Sequence, residues 1–216
     1  MAIMGQPLPV PCRGAFGLGG CMKTRLLRVA VALAISLAAS LTWAADDELR
    51  ALVEESRRVS NQLLGQIKGE LVKELERTGP IRAIAVCKYS VPEITSNISR
   101  QTGMRVTRVA LKPRNRALAE PDVWEQKVLL DFEKRLANGE RAETLEFFEK
   151  VDEPAGRAFR YMKAITMAQP CLACHGPVKN LSEGIRAQLA AEYPNDKAVE
   201  YEIGQLRGGV SVKKGL

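Results

Sequence analysis

The sequence predicts an α+β domain, with helices first and then an antiparallel sheet into which further helices are inserted. Three observations carry this. Apolar residues recur three and four apart through residues 49–98. After residue 104, short alternating runs appear, two of them facing each other across Glu153-Pro154-Ala155-Gly156. A last alternating run, Gly208 to Lys213, closes the chain as a strand. No internal repeat and no second domain are visible.

Leu49, Leu52, Val53, Val59, Leu63, Ile67, Leu71 and Leu75 keep helical spacing with charges between them. They predict one long amphipathic helix from Asp47 to Arg77, stopped by Thr78-Gly79-Pro80. Its stripe is expected to pack on the domain, with homodimerisation through this helix as the second reading. Ile81 to Gly103 is a second helical region, with Ile84, Cys87, Val91, Ile94 and Ile98 on one face. Pro92 cannot donate a helix hydrogen bond, and Ser90-Val91-Pro92-Glu93 has the pattern of a capping box. A break between Tyr89 and Val91 is therefore expected. Arg105 to Leu111 alternates as a strand, and Lys112-Pro113-Arg114-Asn115-Arg116 is a basic loop. Pro121 to Ala137 is helical, closed by Asn138-Gly139. Thr144 to Val151 and Arg157 to Thr166 form a strand pair, and Leu181 to Tyr193 a helix stopped by Pro194.

The N-terminus reads differently. Residues 1–21 are rich in Gly and Pro with one charge, Arg13, and are expected to be an over-extended gene start. Residues 22–44 have the plan of a cleaved secretory signal: a basic stretch from Met22 to Arg28, 13 uncharged and mostly apolar residues from Val29 to Leu41, and Thr42-Trp43-Ala44 before an acidic start. That run is short of the ~20 residues of a membrane span. An uncleaved anchor is the alternative. Residues 45–216 are then a single exported domain of about 170 residues, enough for a real core, and a periplasmic location is expected.

The full chain carries 32 basic and 25 acidic residues, a net charge of +7. Without Arg13, Lys23, Arg25 and Arg28 the balance is 28 against 25, or +3, which gives no argument for nucleic acid. Cys12 and Cys21 leave with the N-terminus, so Cys87, Cys171 and Cys174 remain. An odd count in an exported chain asks for an explanation.

Cys171-Leu172-Ala173-Cys174-His175 supplies one. Cys-x-x-Cys-His is the attachment site of a c-type haem. Two thiols at this spacing reach the two porphyrin vinyl groups, and the next residue then lies under the iron. A thioredoxin-like redox pair wants a βαβ setting, a structural zinc site needs four ligands, and a disulfide leaves His175 unexplained. One motif means one covalent haem c. His175 is the only histidine, so a bis-histidine site and a multi-haem wire are excluded. A peroxidase would need an open iron face with a distal acid–base group, and no histidine is left for it. An enzyme is not expected.

The opposite axial position has several candidates. Met104, Met162 and Met167 all precede the motif, the reverse of the order in small electron-transfer cytochromes. Cys87 is the favoured candidate, as the one unassigned thiol, on an apolar helix face. The alternatives are those methionines, an open face, or Cys87 as a small buried hydrophobe. Arg108, Lys112, Arg114, Arg116 and Arg207 are candidates to pair with the propionates, since guanidinium suits carboxylate. Arg114 stands first among them.

Five stretches carry a resemblance: Ala83-Ile84-Ala85-Val86-Cys87, Leu111-Lys112-Pro113-Arg114-Asn115, Phe159-Arg160-Tyr161, Cys171-Leu172-Ala173-Cys174-His175-Gly176, and Leu206-Arg207-Gly208-Gly209-Val210-Ser211-Val212. In this order they resemble a family of exported mono-haem proteins with a PAS-like fold, first described structurally from a cyanobacterium. The resemblance covers nearly all of residues 45–216. It implies a central antiparallel sheet and His and Cys as axial ligands, which map onto His175 and Cys87. The functional expectation is a periplasmic redox or gas sensor, or accessory haem protein, acting on a redox or signalling partner. A periplasmic electron carrier is the alternative.

Overall fold

A computed structural model describes residues 18–216, with side chains from residue 46 onward. The expected N-terminal extension (1–21), with Cys12 and Cys21, and the expected signal (22–44) lie outside the residues whose side chains are described. Among the described residues no helix is long and apolar enough to cross a membrane. The chain divides into two units, Met1–Leu49 and Arg50–Leu216. The described part of the first is helix throughout.

Helix α1 runs Leu18–Thr78, starting well before the predicted Asp47. Within the second unit it buries Leu52, Val53, Val59, Leu63 and Ile67, the predicted stripe. Thr78-Gly79-Pro80 ends it, with Gly79 at φ 81°, a left-handed conformation that costs glycine little. Then come α2 (Pro80–Ala85), a π-helical turn (Val86–Ser90) and α3 (Val91–Thr102). The order continues β1 (Arg105–Val109), α4 (Arg116–Ala119), α5 (Val123–Ala137), β2 (Glu146–Glu153), β3 (Gly156–Thr166), α6 (Leu172–His175), α7 (Glu183–Glu192) and β4 (Leu206–Gly215).

The predicted break after Tyr89 is a different feature. Ser90 has helical dihedrals (φ −71°, ψ −39°), and its side chain caps nothing. The helix instead widens by one residue before Pro92, and the Val91 N–H reaches back to the Val86 carbonyl. A π-turn absorbs the missing donor of Pro92 without ending the helix. The capping box of this chain sits at α5, where Asp122 accepts from the Glu125 N–H and Glu125 accepts from the Asp122 N–H, both at 2.8 Å.

The four strands form one antiparallel sheet in the order β1-β4-β3-β2. One face packs on α5 through Met162 and Ala164 against Val128, Leu129 and Phe132, with Leu145, just before β2, in the same cluster. The other face carries Phe159 and Tyr161 and is tied to α1. There Arg57 Nε donates to the two Glu146 carboxylate oxygens at 2.8 and 3.0 Å, and Tyr161 Oη donates to Glu146 at 2.7 Å. Between β3 and β4 the register slips. Ile165 pairs with Gly208 but Thr166 with Leu206, so Arg207 is the extra residue of a bulge. Gly208 sits there because a Cβ would lie 2.3 Å from the Val109 carbonyl oxygen. That close approach lets β1 join β4 beside the bulge.

A cleft lined by one thiol, one imidazole and three guanidiniums

The π-turn, the start of α3, β1 and the first residues of β4 enclose a cleft of about 270 Å³. Cys87, Arg108, Arg114, His175, Tyr193 and Arg207 reach its lining. Cys87 and His175 thus meet across 88 residues of sequence. The π-turn is what places Cys87: it is the second residue of the widened turn, and Val91, Pro92 and Thr95 continue the same wall. Lys88, next in sequence, forms an ion pair with Glu192 at the end of α7.

His175 ends the short helix α6. Its Nδ1–H donates to the Ala198 carbonyl at 2.6 Å, which leaves Nε2 without a proton. Burial, then the nearby Arg207 and Arg114, push its pKa well below 6.5, so the ring is neutral. Ala198 is itself fixed. Asp196 accepts from the Ala198 N–H at 2.7 Å and from Arg114 Nε at 2.9 Å, while Arg114 Nη2 donates to the carbonyls of Cys174 at 2.5 Å and Ala198 at 3.2 Å. The loop closes further along, where the Glu200 N–H donates to the Gly176 carbonyl and the Tyr201 N–H to the His175 carbonyl. Glu200 holds φ 61° to do this, a left-handed conformation costing roughly 1 kcal/mol. Its carboxylate accepts from the Val178 N–H at 2.8 Å.

The two motif cysteines flank His175 on different packing clusters. Cys174 lies against Ile84, Leu181, Ile185, Leu189 and Tyr193, and Cys171 against Met167, Ala198 and Tyr201. Burial pushes the Cys174 thiol pKa up, while Arg114 opposes it. Cys87, Cys171 and Cys174 are all free thiols. Among the described residues, no three His, Cys, Asp or Glu side chains converge as a metal-binding group. The thiol of Cys87 is therefore not part of a preformed Cys₃His cluster with the motif.

The donor set fits a haem better than a bare ion. A ligating histidine typically gives its second ring N–H to a carbonyl, as His175 does. A soft sulfur lines the same cleft. Met104, Met162 and Met167 are all buried in packing, and none reaches the cleft lining. Arg114, first in the sequence reading as a propionate partner, has Nε and Nη2 committed to Asp196 and to two carbonyls. Sequence reasoning overlooked Asp196, Ala198 and Tyr193. The local signal was no more than an aspartate in a turn after Pro194.

Sheet, cleft and motif together define a class: an α+β, PAS-like domain with a Cys-x-x-Cys-His turn at the edge of a cleft. Residues 37–214 match the Tll0287-like family, and the chain belongs to it. Among solved structures, that of the cyanobacterial heme-protein Tll0287 matches with a TM-score of 0.55 and 24% identity, over 78% of this chain and 95% of that one. The fold is what they share at that identity. Comparison with curated proteins gives no match.

Proposed function

We propose that this is an exported protein carrying one haem c, attached through Cys171 and Cys174, with His175 and Cys87 as axial ligands. It acts in the periplasm as a redox or gas sensor, or accessory haem protein, for a protein partner. The observation that carries the reading is the bond from His175 Nδ1–H to the Ala198 carbonyl at 2.6 Å. It fixes the tautomer with Nε2 bare, in a ring kept neutral by its surroundings, on the cleft that Cys87 also lines. The name of the structural relative, a heme-protein, and the family match support the same group here.

When bound, the haem would supply a one-electron iron couple. The chain supplies the rest. His175 would hold the iron through a ring oriented by the Arg114–Asp196–Ala198 network. Cys87 would offer a sulfur ligand, and thiolate ligation favours ferric iron and so a low potential. If the couple is reduced by an external one-electron donor, Cys87 would be the residue free to withdraw, and the cleft would then admit a small gas. An electron carrier would instead exchange electrons with both ligands unchanged.

Low-temperature EPR of the oxidised, haem-matured protein beside Cys87→Ser tests the ligation. A low-spin thiolate signal that is lost in the variant is expected. A ferric signal indifferent to the substitution overturns the ligand set.

A further inference from the structure

We infer that Arg108 and Arg207 are the carboxylate-binding pair of the cleft, each receiving one propionate of the porphyrin. This rests on the haem reading above and adds to it the residues that take its charged edge.

Three guanidiniums line the cleft, and no Asp or Glu does. Arg114 is already matched by Asp196, with side-chain exposures of 7% and 10%. Arg108 and Arg207 have no carboxylate partner. Their Nε atoms are buried and make no hydrogen bond among the described residues. Arg207 has one long contact, Nη1 to the Lys112 carbonyl at 3.4 Å, and its other neighbour is Tyr201, which it both hydrogen-bonds and overlies with 5.7 Å to the ring centroid. A guanidinium does not shed its proton to relieve burial. Both residues are half-buried, and a partly desolvated cation without an anion is costly, so proteins retain one where an anion completes it. Two such cations and a ligand with two carboxylates match in number and in sign. The fork of Arg is shaped for carboxylate oxygens.

The backbone aims both groups. Arg108 stands on β1 opposite Val210 of β4. Arg207 is the extra residue of the β4 bulge, and bulges beside sites re-aim a side chain. Burial lowers the pKa of both guanidiniums, that of Arg207 to about 10. This is the electrostatic expression of the same missing partner.

The test compares porphyrins with and without their charges. A full-length Cys171→Ala, Cys174→Ala chain, which binds reversibly, is titrated with haemin and with haemin dimethyl ester. The parent should prefer haemin. Arg108→Gln and Arg207→Gln should each weaken haemin binding roughly 10- to 100-fold and leave the ester unchanged. Arg157→Gln, at an exposed residue of the β2–β3 hairpin paired with Asp152, should change neither. A parent that binds acid and ester alike, as it would if the pair served a free inorganic anion, overturns the assignment. Variants that weaken both ligands equally overturn it too. If the thioether-free chain does not retain haemin, the potentials of the matured holoproteins decide. Arg108→Gln and Arg207→Gln should each shift to lower potential, and unchanged values reject the pair. Wild-type protein that matures without haem rejects the function proposed above. Haem present with these outcomes reversed rejects the arginine pair alone.

Discussion

Arg114 and Asp196 form an ion pair at 2.9 Å, both side chains about nine-tenths buried, and the same pair steadies the carbonyl that orients His175. Removing one partner strands the other charge out of water. Arg114→Gln and Asp196→Asn should each cost about 3–5 kcal/mol in urea unfolding. The double variant should lose less than the sum, because the second change removes a charge already orphaned. Additive losses would mean that the pair is not coupled.

Cys87 is expected to leave the iron on reduction. The holoprotein, titrated reductively at neutral pH, should lose its thiolate spectrum and bind CO. Cys87→Ser should bind CO in the ferrous state with no slower opening step. Retention of sulfur on ferrous iron rejects the exchange.

The π-turn predicts a deletion phenotype. Removing Ser90 takes out the extra residue and leaves an ordinary helical turn before Pro92. Cys87 would then rotate by about 100° relative to α3. Helical circular dichroism should stay near wild type while the ferric thiolate signal disappears. A deletion protein that keeps the signal would show that the wide turn does not aim the sulfur.

Glu146 gives a pH dependence remote from the cleft. Burial alone would raise its pKa, but hydrogen bonds from Arg57 and Tyr161 hold it below the ordinary 4.5. A carboxylate depressed in the folded state adds stability that is complete above about 4.5 and is lost as pH falls through its lower folded value. Melting temperatures of Glu146→Gln should therefore fall less steeply than wild type below pH 4.5, from a lower neutral value. Parallel acid limbs would remove Glu146 from the account.

The strands, the hairpin across Glu153–Gly156 and the stripe of α1 were legible because each is a local period. The capping-box reading of Ser90–Glu93 failed because the pattern states which donors need partners, not how the backbone meets the need. Widening the helix by one residue served Pro92 as well as a break would. Cys87 was legible as a thiol on an apolar helix face and His175 as the end of a Cys-x-x-Cys-His run, but that the two line one cleft is a property of the fold. The order of the arginines was not. Arg114 is matched by an aspartate 82 residues further on, and no local pattern distinguishes it from Arg108 or Arg207, which lack such a match.

The strand order has a consequence for biogenesis. Among the described residues Arg105–Val109 pairs with no strand except Leu206–Gly215, so one wall of the cleft stays unbuilt until the last ten residues of the sheet arrive. A porphyrin delivered to the newly made polypeptide would meet the Cys-Leu-Ala-Cys-His segment as an open peptide, with its pocket still to come. On the proposed reading, loading would then precede closure, and the last strand would seal the pocket over a group already bound.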